Sequence, residues 1–188
     1  MAEKTLILIK PDAVKRAISG RIISRFEEVG LKLVAVKMVW ADEALAKNHY
    51  KLDEEWAKKL YEKTKKKYDE QGKTMEYQDH MALGKEIQRR NVNFLTEGPV
   101  IAIVLEGPHS IEIVRKMVGS TEPLQSLPGT IRGDFASTES YFISDANKRS
   151  VRNMIHASDS VENANHEISL WFSEKEIHSY KSIHDFMI

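Results

Sequence analysis

Apolar positions along the chain fall in short runs cut by proline, glycine and charge, and their spacing switches between period two and helical period. Residues 5–10 (TLILIK) form a β-favouring run stopped by Pro11-Asp12. Ile18, Ile22, Ile23, Phe26 and Val29 then recur at helical spacing, with Gly30 where a helix ends. Residues 31–40 place Leu31, Leu33 and Ala35 on one face of a strand, with Lys32 and Lys37 off that pattern, and the polar stretch 41–50 reads as a helix. Residues 100–105 (VIAIVL) run unbroken between Gly98-Pro99 and Gly107-Pro108, the signature of a buried central strand. Ile111, Val114, Met117 and Val118 carry a helical stripe closed by Gly119. Residues 151–157 read as a last strand, and Asp159 with Glu162 offers a capping-box start to a helix bearing Val161, Ala164, Ile168 and Trp171.

The resulting order of strand, helix, strand, strand, helix, strand predicts an α+β fold of the ferredoxin-like, split βαβ kind: a four-stranded antiparallel sheet with helices on its faces. Neither repeats nor a flexible linker interrupt it, so residues 1–188 read as one domain. Two stretches exceed this minimal core. Residues 53–96 are lysine-rich, with Trp56, Leu60, Thr64 and Tyr68 repeating every four positions; residues 136–150 are rich in Ser, Thr, Asp and Asn. Both are expected to be insertions, the first a helical one packed outside the core and removable without unfolding it.

Composition narrows the chemistry. With no cysteine, disulfides, thiolate nucleophiles and sulfur-ligated metals are excluded, leaving imidazole and oxygen groups. Lys plus Arg and Asp plus Glu balance at 28 each, which argues against a nucleic-acid partner bound through a global basic field. The basic patch at residues 63–67 reads as a solvated helix face. Apolar runs are too short for a membrane span, and the first ten residues lack a signal-peptide core, so a cytoplasmic protein is expected.

The residues that could carry a reaction gather at 153–160 (NMIHASDS), where His156 sits at a strand-to-helix junction. A neutral imidazole keeps one lone pair and attacks phosphorus without an activating base. Alone, such a histidine is more often a hydrogen-bonded structural residue. Its neighbours alter that balance: Asn153-x-x-His156-Ala157-Ser158-Asp159 resembles the active-site signature of the nucleoside diphosphate kinase family. Lys10-Pro11-Asp12, residues 128–135 (PGTIRGDF) and residues 167–172 (EISLWF) resemble three further motifs of that family, in the same order.

The resemblance implies ping-pong transfer of a γ-phosphate from a nucleoside triphosphate to a nucleoside diphosphate through a phosphohistidine on His156. Ser158 and Glu167 would hold the ring, and Lys10 would contact the transferred phosphate and the sugar 3'-hydroxyl, which Asn153 would also bind. Arg115, Thr121, Arg132 and Tyr50 match the family's phosphate-binding positions. Mg²⁺ would arrive with the nucleotide, aided through water by Asp159, and no protein-held metal is implied. The family further implies a homo-oligomer, usually a hexamer and sometimes a tetramer.

The sequence departs from the family where the base is clamped. Trp56, Leu60, Tyr61 and Val151 are the candidates there, and Phe94 reads as a core aromatic. Ala157 replaces the commoner glycine, and Glu122 puts a negative charge where asparagine is usual. The rival reading is a non-catalytic regulatory or nucleic-acid-binding module on the same fold; the full set of His156, Lys10, Arg115, Arg132, Asn153 and Glu167 weighs against it.

Overall fold

The structure, a computed structural model, describes residues 2–183 apart from 71 and 73. Lys73, part of a loop between the expected helices, and residues 184–188 of the expected domain lie outside the described residues. The strands are β1 (Glu3–Ile9), β2 (Lys32–Val39), β3 (Val100–Gly107) and β4 (Ile155–Ala157), forming one antiparallel sheet in the order β2-β3-β1-β4. That is the ferredoxin-like arrangement the element order predicts. The helices are α1 (Pro11–Lys15), α2 (Ser19–Glu28), α3 (Glu43–His49), α4 (Glu54–Glu70), α5 (His80–Thr96), α6 (Ser110–Val118), α7 (Ile131–Ala136), α8 (Tyr141–Ala146) and α9 (Val161–Trp171).

Alternation along β1 divides the interior into two layers. Ile7 and Ile9 face one side, where Ile22 and Phe26 of α2, Val114 and Val118 of α6, and Ile131 of α7 cover them. Leu6 and Leu8 face the other, under Ala46 of α3, Val92 and Leu95 of α5, and Ile168 and Trp171 of α9. Both faces are buried, so the central strands β1 and β3 read as unbroken apolar runs rather than as alternation with polar residues.

Three expectations shift. Pro11 does not merely stop β1; it opens α1 as the first helical residue, where a missing N–H costs nothing. Helix α9 is capped by Ser160, not Asp159: Ser160 is extended and its Oγ accepts the Asn163 N–H at 3.1 Å, while Asp159 accepts from the Asn163 side chain. The last strand starts at Ile155 instead of 151, because a turn at Met154 breaks the extended chain.

The 53–96 segment divides in two. Helix α4 lies on α5 through a close approach at Gly84, where a Cβ would come within 2.9 Å of Leu52. Trp56 and Ala57 fill that seam, and outward-facing Glu54–Lys58 and Glu55–Lys59 pairs line the solvent side. Helix α5 is different: Leu83, Val92, Phe94 and Leu95 are buried, and Val92 and Leu95 belong to the layer under Leu6 and Leu8. The expectation of a wholly external, removable segment is therefore corrected for α5, which covers a sheet face that would otherwise be wet. The 136–150 stretch folds as α8 and locks onto α5: Arg90 donates to Asp145 at 2.9 Å, and Ser150 to Asn91 at 2.6 Å.

Candidate active site

His156 lies in β4, opposite Leu8 of the central strand, with a partly exposed side chain. Its Nε2 stands 2.9 Å from both carboxylate oxygens of Glu167, which reaches down from α9. Ser158 donates to the same carboxylate at 2.5 Å and also accepts the Leu6 backbone N–H. A carboxylate at Nε2 places the proton there and leaves Nδ1 with the lone pair. The three residues come from a strand, the residue after it and a helix 11 positions on, so tertiary packing alone unites them.

The turn before His156 is under strain. Met154 has φ 66°, a left-handed conformation that side chains resist, and Ile155 N–H donates to the Asn153 carbonyl at 2.7 Å across it. Asp12 holds this turn by accepting the Met154 N–H at 3.1 Å, while Lys10 N–H donates to the Met154 carbonyl at 2.8 Å. Asp12 had no role in the sequence beyond its motif; it follows Pro11, which starts α1. Burial raises the Asp12 pKa, opposed by Lys10 and by its own backbone hydrogen bonds. Ala157 sits in β4 opposite Ile7, so glycine's freedom is not needed at this position.

Lys10 and Asn153 meet directly: Lys10 Nζ donates to Asn153 Oδ1 at 2.8 Å, and the Asn153 amide donates to the Thr121 carbonyl at 2.9 Å. The Lys10 ammonium also lies 5.3 Å from the Phe94 ring centre. Burial, with Arg132 nearby, lowers the Lys10 pKa to about 7. Phe94, expected as a core aromatic, is buried and carries both Lys10 and Arg152 on its ring.

Arg132 is buried and already heavily engaged. Its guanidinium donates to the carbonyls of Asn153, Gly119 and Ile155 at 3.1, 3.0 and 2.7 Å. A guanidinium has five N–H groups, so a share of its donors remains for an incoming anion. Burial, then the like charge of Arg115, lowers its pKa to about 10. Arg115 itself is exposed in the last turn of α6, and Thr121 is exposed in the loop that follows. Tyr50 caps α3, and burial raises the pKa of its hydroxyl. The base-clamp candidates Trp56 and Tyr61 are spent within the α4–α5 hairpin, and Glu122 accepts the Tyr141 N–H at the start of α8.

Lys10 and Arg132, both with lowered pKa values, and Arg115 near Arg132 gather positive charge close to His156, an arrangement able to hold an anion beside the ring. Among the described residues the one group of three close potential metal ligands is His49, His156 and Glu167. His49 was missed by sequence reasoning, since its spacing from other histidines carries no signal.

Comparison with known proteins agrees with this chemistry. The family described as "Nucleoside diphosphate kinase" matches residues 3–75 and 65–177. The chain is 44% identical over 179 residues to a nucleoside diphosphate kinase of Pyrobaculum aerophilum, covering 93% of this chain and 97% of the relative. It is 43% identical to the enzyme so named in Methanocaldococcus jannaschii, covering 94% and 98%. Among solved structures, an NDP kinase from Pyrobaculum aerophilum superposes with a TM-score of 0.90 at 42% identity, covering 95% of this chain and all of that one. A transition-state mimic of the Borrelia burgdorferi enzyme with bound vanadate and ADP gives 0.79 at 38% identity, covering 99% and 96%.

Proposed function

The chain belongs to the nucleoside diphosphate kinase family, and on that premise we propose that His156 Nδ1 is the phosphate acceptor of a ping-pong transfer between nucleotides. The observation carrying this reading is the Glu167 carboxylate on Nε2, which leaves Nδ1 as the free nitrogen of a partly exposed ring.

In the first half-reaction the Nδ1 lone pair forms a bond to the γ-phosphorus, the bond to the bridging oxygen breaks, and the nucleoside diphosphate leaves. In the second, the terminal oxygen of another diphosphate attacks the phosphohistidine and restores the imidazole. The transition state is loose and its charge lies on phosphate oxygens, so positioned cations matter more than bases. Lys10, Arg132, Arg115 and the Thr121 hydroxyl supply that grip, with the Tyr50 hydroxyl beside it. Glu167 stabilises the charge that appears on the ring, and Ser158 holds Glu167. Asn153, bonded to Lys10, would share it with the sugar 3'-hydroxyl.

Mg²⁺ neutralises the phosphates when bound. The one three-ligand group among the described residues has two imidazoles, a donor set unlike the oxygen shell magnesium prefers. The metal would therefore be held by the nucleotide, with the exposed Asp159 reaching its water shell. The assembly would be a homo-oligomer, a hexamer or else a tetramer: β2 is an edge strand whose Val36 and Met38 are 57% and 62% exposed, an apolar rim suited to another copy. No helix among the described residues is long and apolar enough to cross a membrane, and the cysteine-free sequence suits a cytoplasmic enzyme.

Incubation with radiolabelled ATP and Mg²⁺ without acceptor should leave one alkali-stable, acid-labile phosphate per chain, released as a triphosphate by GDP. His156→Ala should abolish labelling and lower transfer by at least about 10⁴-fold. A His156→Ala protein that still labels and still makes GTP would remove His156 from this role.

A further inference from the structure

Helix α7 faces two ways. Arg132 reaches the carbonyls of Gly119, Asn153 and Ile155, while Asp134 and Phe135 meet side chains of α2. Between α7 and α2 lies a cleft of about 510 Å³, lined by Arg16, Arg21, Ser24, Arg25, Asp134 and Phe135, with Glu28 at its edge. Arg21, Ser24, Arg25 and Glu28 are spaced three and four apart, so one face of α2 delivers them together.

This face gathers positive charge. Arg21 and Arg25 are like charges one turn apart, a pairing that weakens a helix. Both guanidiniums sit over the Phe135 ring, 4.6 and 5.5 Å from its centre, which holds them in place without neutralising them. Arg16, at the end of α1, joins them: it donates to the Phe135 carbonyl at 2.6 Å and rests 3.9 Å from the Met154 sulfur.

Three guanidiniums face two carboxylates, and those two are poorly placed to balance them. Arg25 donates to one Asp134 oxygen at 2.6 Å, and the Gly129 N–H takes the other at 2.7 Å; Glu28 is exposed. The remaining terminal nitrogen of Arg25, Nη1, is buried without a hydrogen-bond partner. Such a donor is costly to keep, and cations crowded into one cleft repel one another. An oxyanion drawn in between Arg21 and Arg25 relieves both. Phe135 is already engaged by the two guanidiniums, so the cleft suits the anion itself and not a flat base.

We propose that Arg16, Arg21 and Arg25 form a second anion site, apart from the one at His156, that takes a phosphate group: the free ion or the end of a small phosphate monoester. The planar fork of a guanidinium grips two phosphate oxygens at once. None of the three arginines belongs to the set around His156, so the inference stands whether or not His156 accepts a phosphate.

The test is calorimetric titration of the full-length protein with inorganic phosphate at low ionic strength and, in a second arm, with glycerol 3-phosphate. Saturating Mg²⁺ and a nucleoside triphosphate with nitrogen in its β–γ bridge fill the phosphate positions beside His156 and block transfer. Wild type should bind one further phosphate per chain in at least one arm, and the tighter arm identifies the source. Arg21→Ala should weaken that binding about tenfold or more, the loss of one charge-assisted contact. Its kcat and KM for GDP should be unchanged, because Arg21 lies outside the reaction centre. Arg25→Gln keeps a donor for Asp134 and should weaken binding likewise; if Arg21→Ala fails to fold by circular dichroism, this variant decides. Absence of binding in both arms overturns the proposal. So does binding of wild-type strength in the variant, which would place the ion elsewhere. Failure of the reading at His156 looks different: the wild-type chain would take no label from ATP, while Arg21→Ala would still weaken phosphate binding.

Discussion

Around the turn at residues 153–155 that leads into β4, the charged groups are few and sunk: Lys10, Asp12 and Arg132 are at most 9% exposed, and each is bonded to residues distant in sequence. On the α4–α5 hairpin charges are many and open, and the outer ones pair with neighbours one turn away, as in Glu54–Lys58, Glu55–Lys59 and Glu86–Arg89. Exposed pairs gain little beyond solubility and local helix support. Buried ones are costly to keep and lose much when a partner is removed. The contrast separates charge held inside, beside β4, from charge that keeps a helix wet, and Arg90, buried between Asp145 and Glu86, marks where the hairpin joins the body.

The comparison is broken most forcefully by cutting. Replacing residues 55–77 with a short linker should leave one cooperative thermal transition, since α4 rests on α5 from outside. Carrying the excision on to residue 93 should abolish that transition, because Leu83 and Val92 go with it. Two deletion variants that melt alike would show that the hairpin is a single unit.

A smaller effect sharpens the contrast between charges. Arg132→Ala strands three backbone carbonyls and should cost about 3 kcal/mol of stability in urea unfolding, besides slowing transfer. Lys58→Ala, on the open face of α4, should alter neither. Arg132→Lys should rescue poorly, as an ammonium cannot span three acceptors. Wild-type stability in Arg132→Ala would mean that those carbonyls find water.

The smallest effect is a proton. In the free enzyme Lys10 titrates near pH 7 rather than at its ordinary value of 10.5. Between those limits the folded, empty site is mostly neutral at Lys10, and a bound polyphosphate restores its charge. Nucleotide binding should therefore take up close to one proton near pH 8.5 and progressively less below pH 7, and Lys10→Met should remove the effect. The same sign makes unliganded stability rise with pH over that interval, since the unfolded chain holds the extra proton. Calorimetric titration in two buffers of different ionisation enthalpy measures it; equal heats at pH 8.5 would refute it.

The sheet, its order and the helices over its first face were legible because each apolar run has its own punctuation. The removable status given to residues 53–96 was not: Trp56, Leu60 and Tyr68 announce a helix, but nothing local says that Val92 and Leu95 of the next helix cover Leu6 and Leu8. At the site, short motifs located His156, Lys10, Asn153 and Arg132, which the structure brings together. They could not reveal the strained Met154, because φ at one residue is set by Asp12, 142 positions away. His49 gave no sign either, since its partners are a tryptophan and a histidine more than 100 residues downstream.

The central position of β1 has a consequence for how the molecule is made. Of the four described strands β1 leaves the ribosome first, yet it is flanked by β3 and β4, whose residues emerge roughly 95 and 150 positions later. At about 5 to 20 residues per second, its Leu6-to-Ile9 segment waits on the order of 10 to 30 seconds for its second neighbour. Both edges of this apolar strand are open until β3 emerges and one edge until β4 does, the state most prone to pairing with another nascent chain. The carboxylate that meets His156 arrives only with α9, so a chain truncated anywhere before Glu167 would have all four strands of the sheet without the group on His156 Nε2.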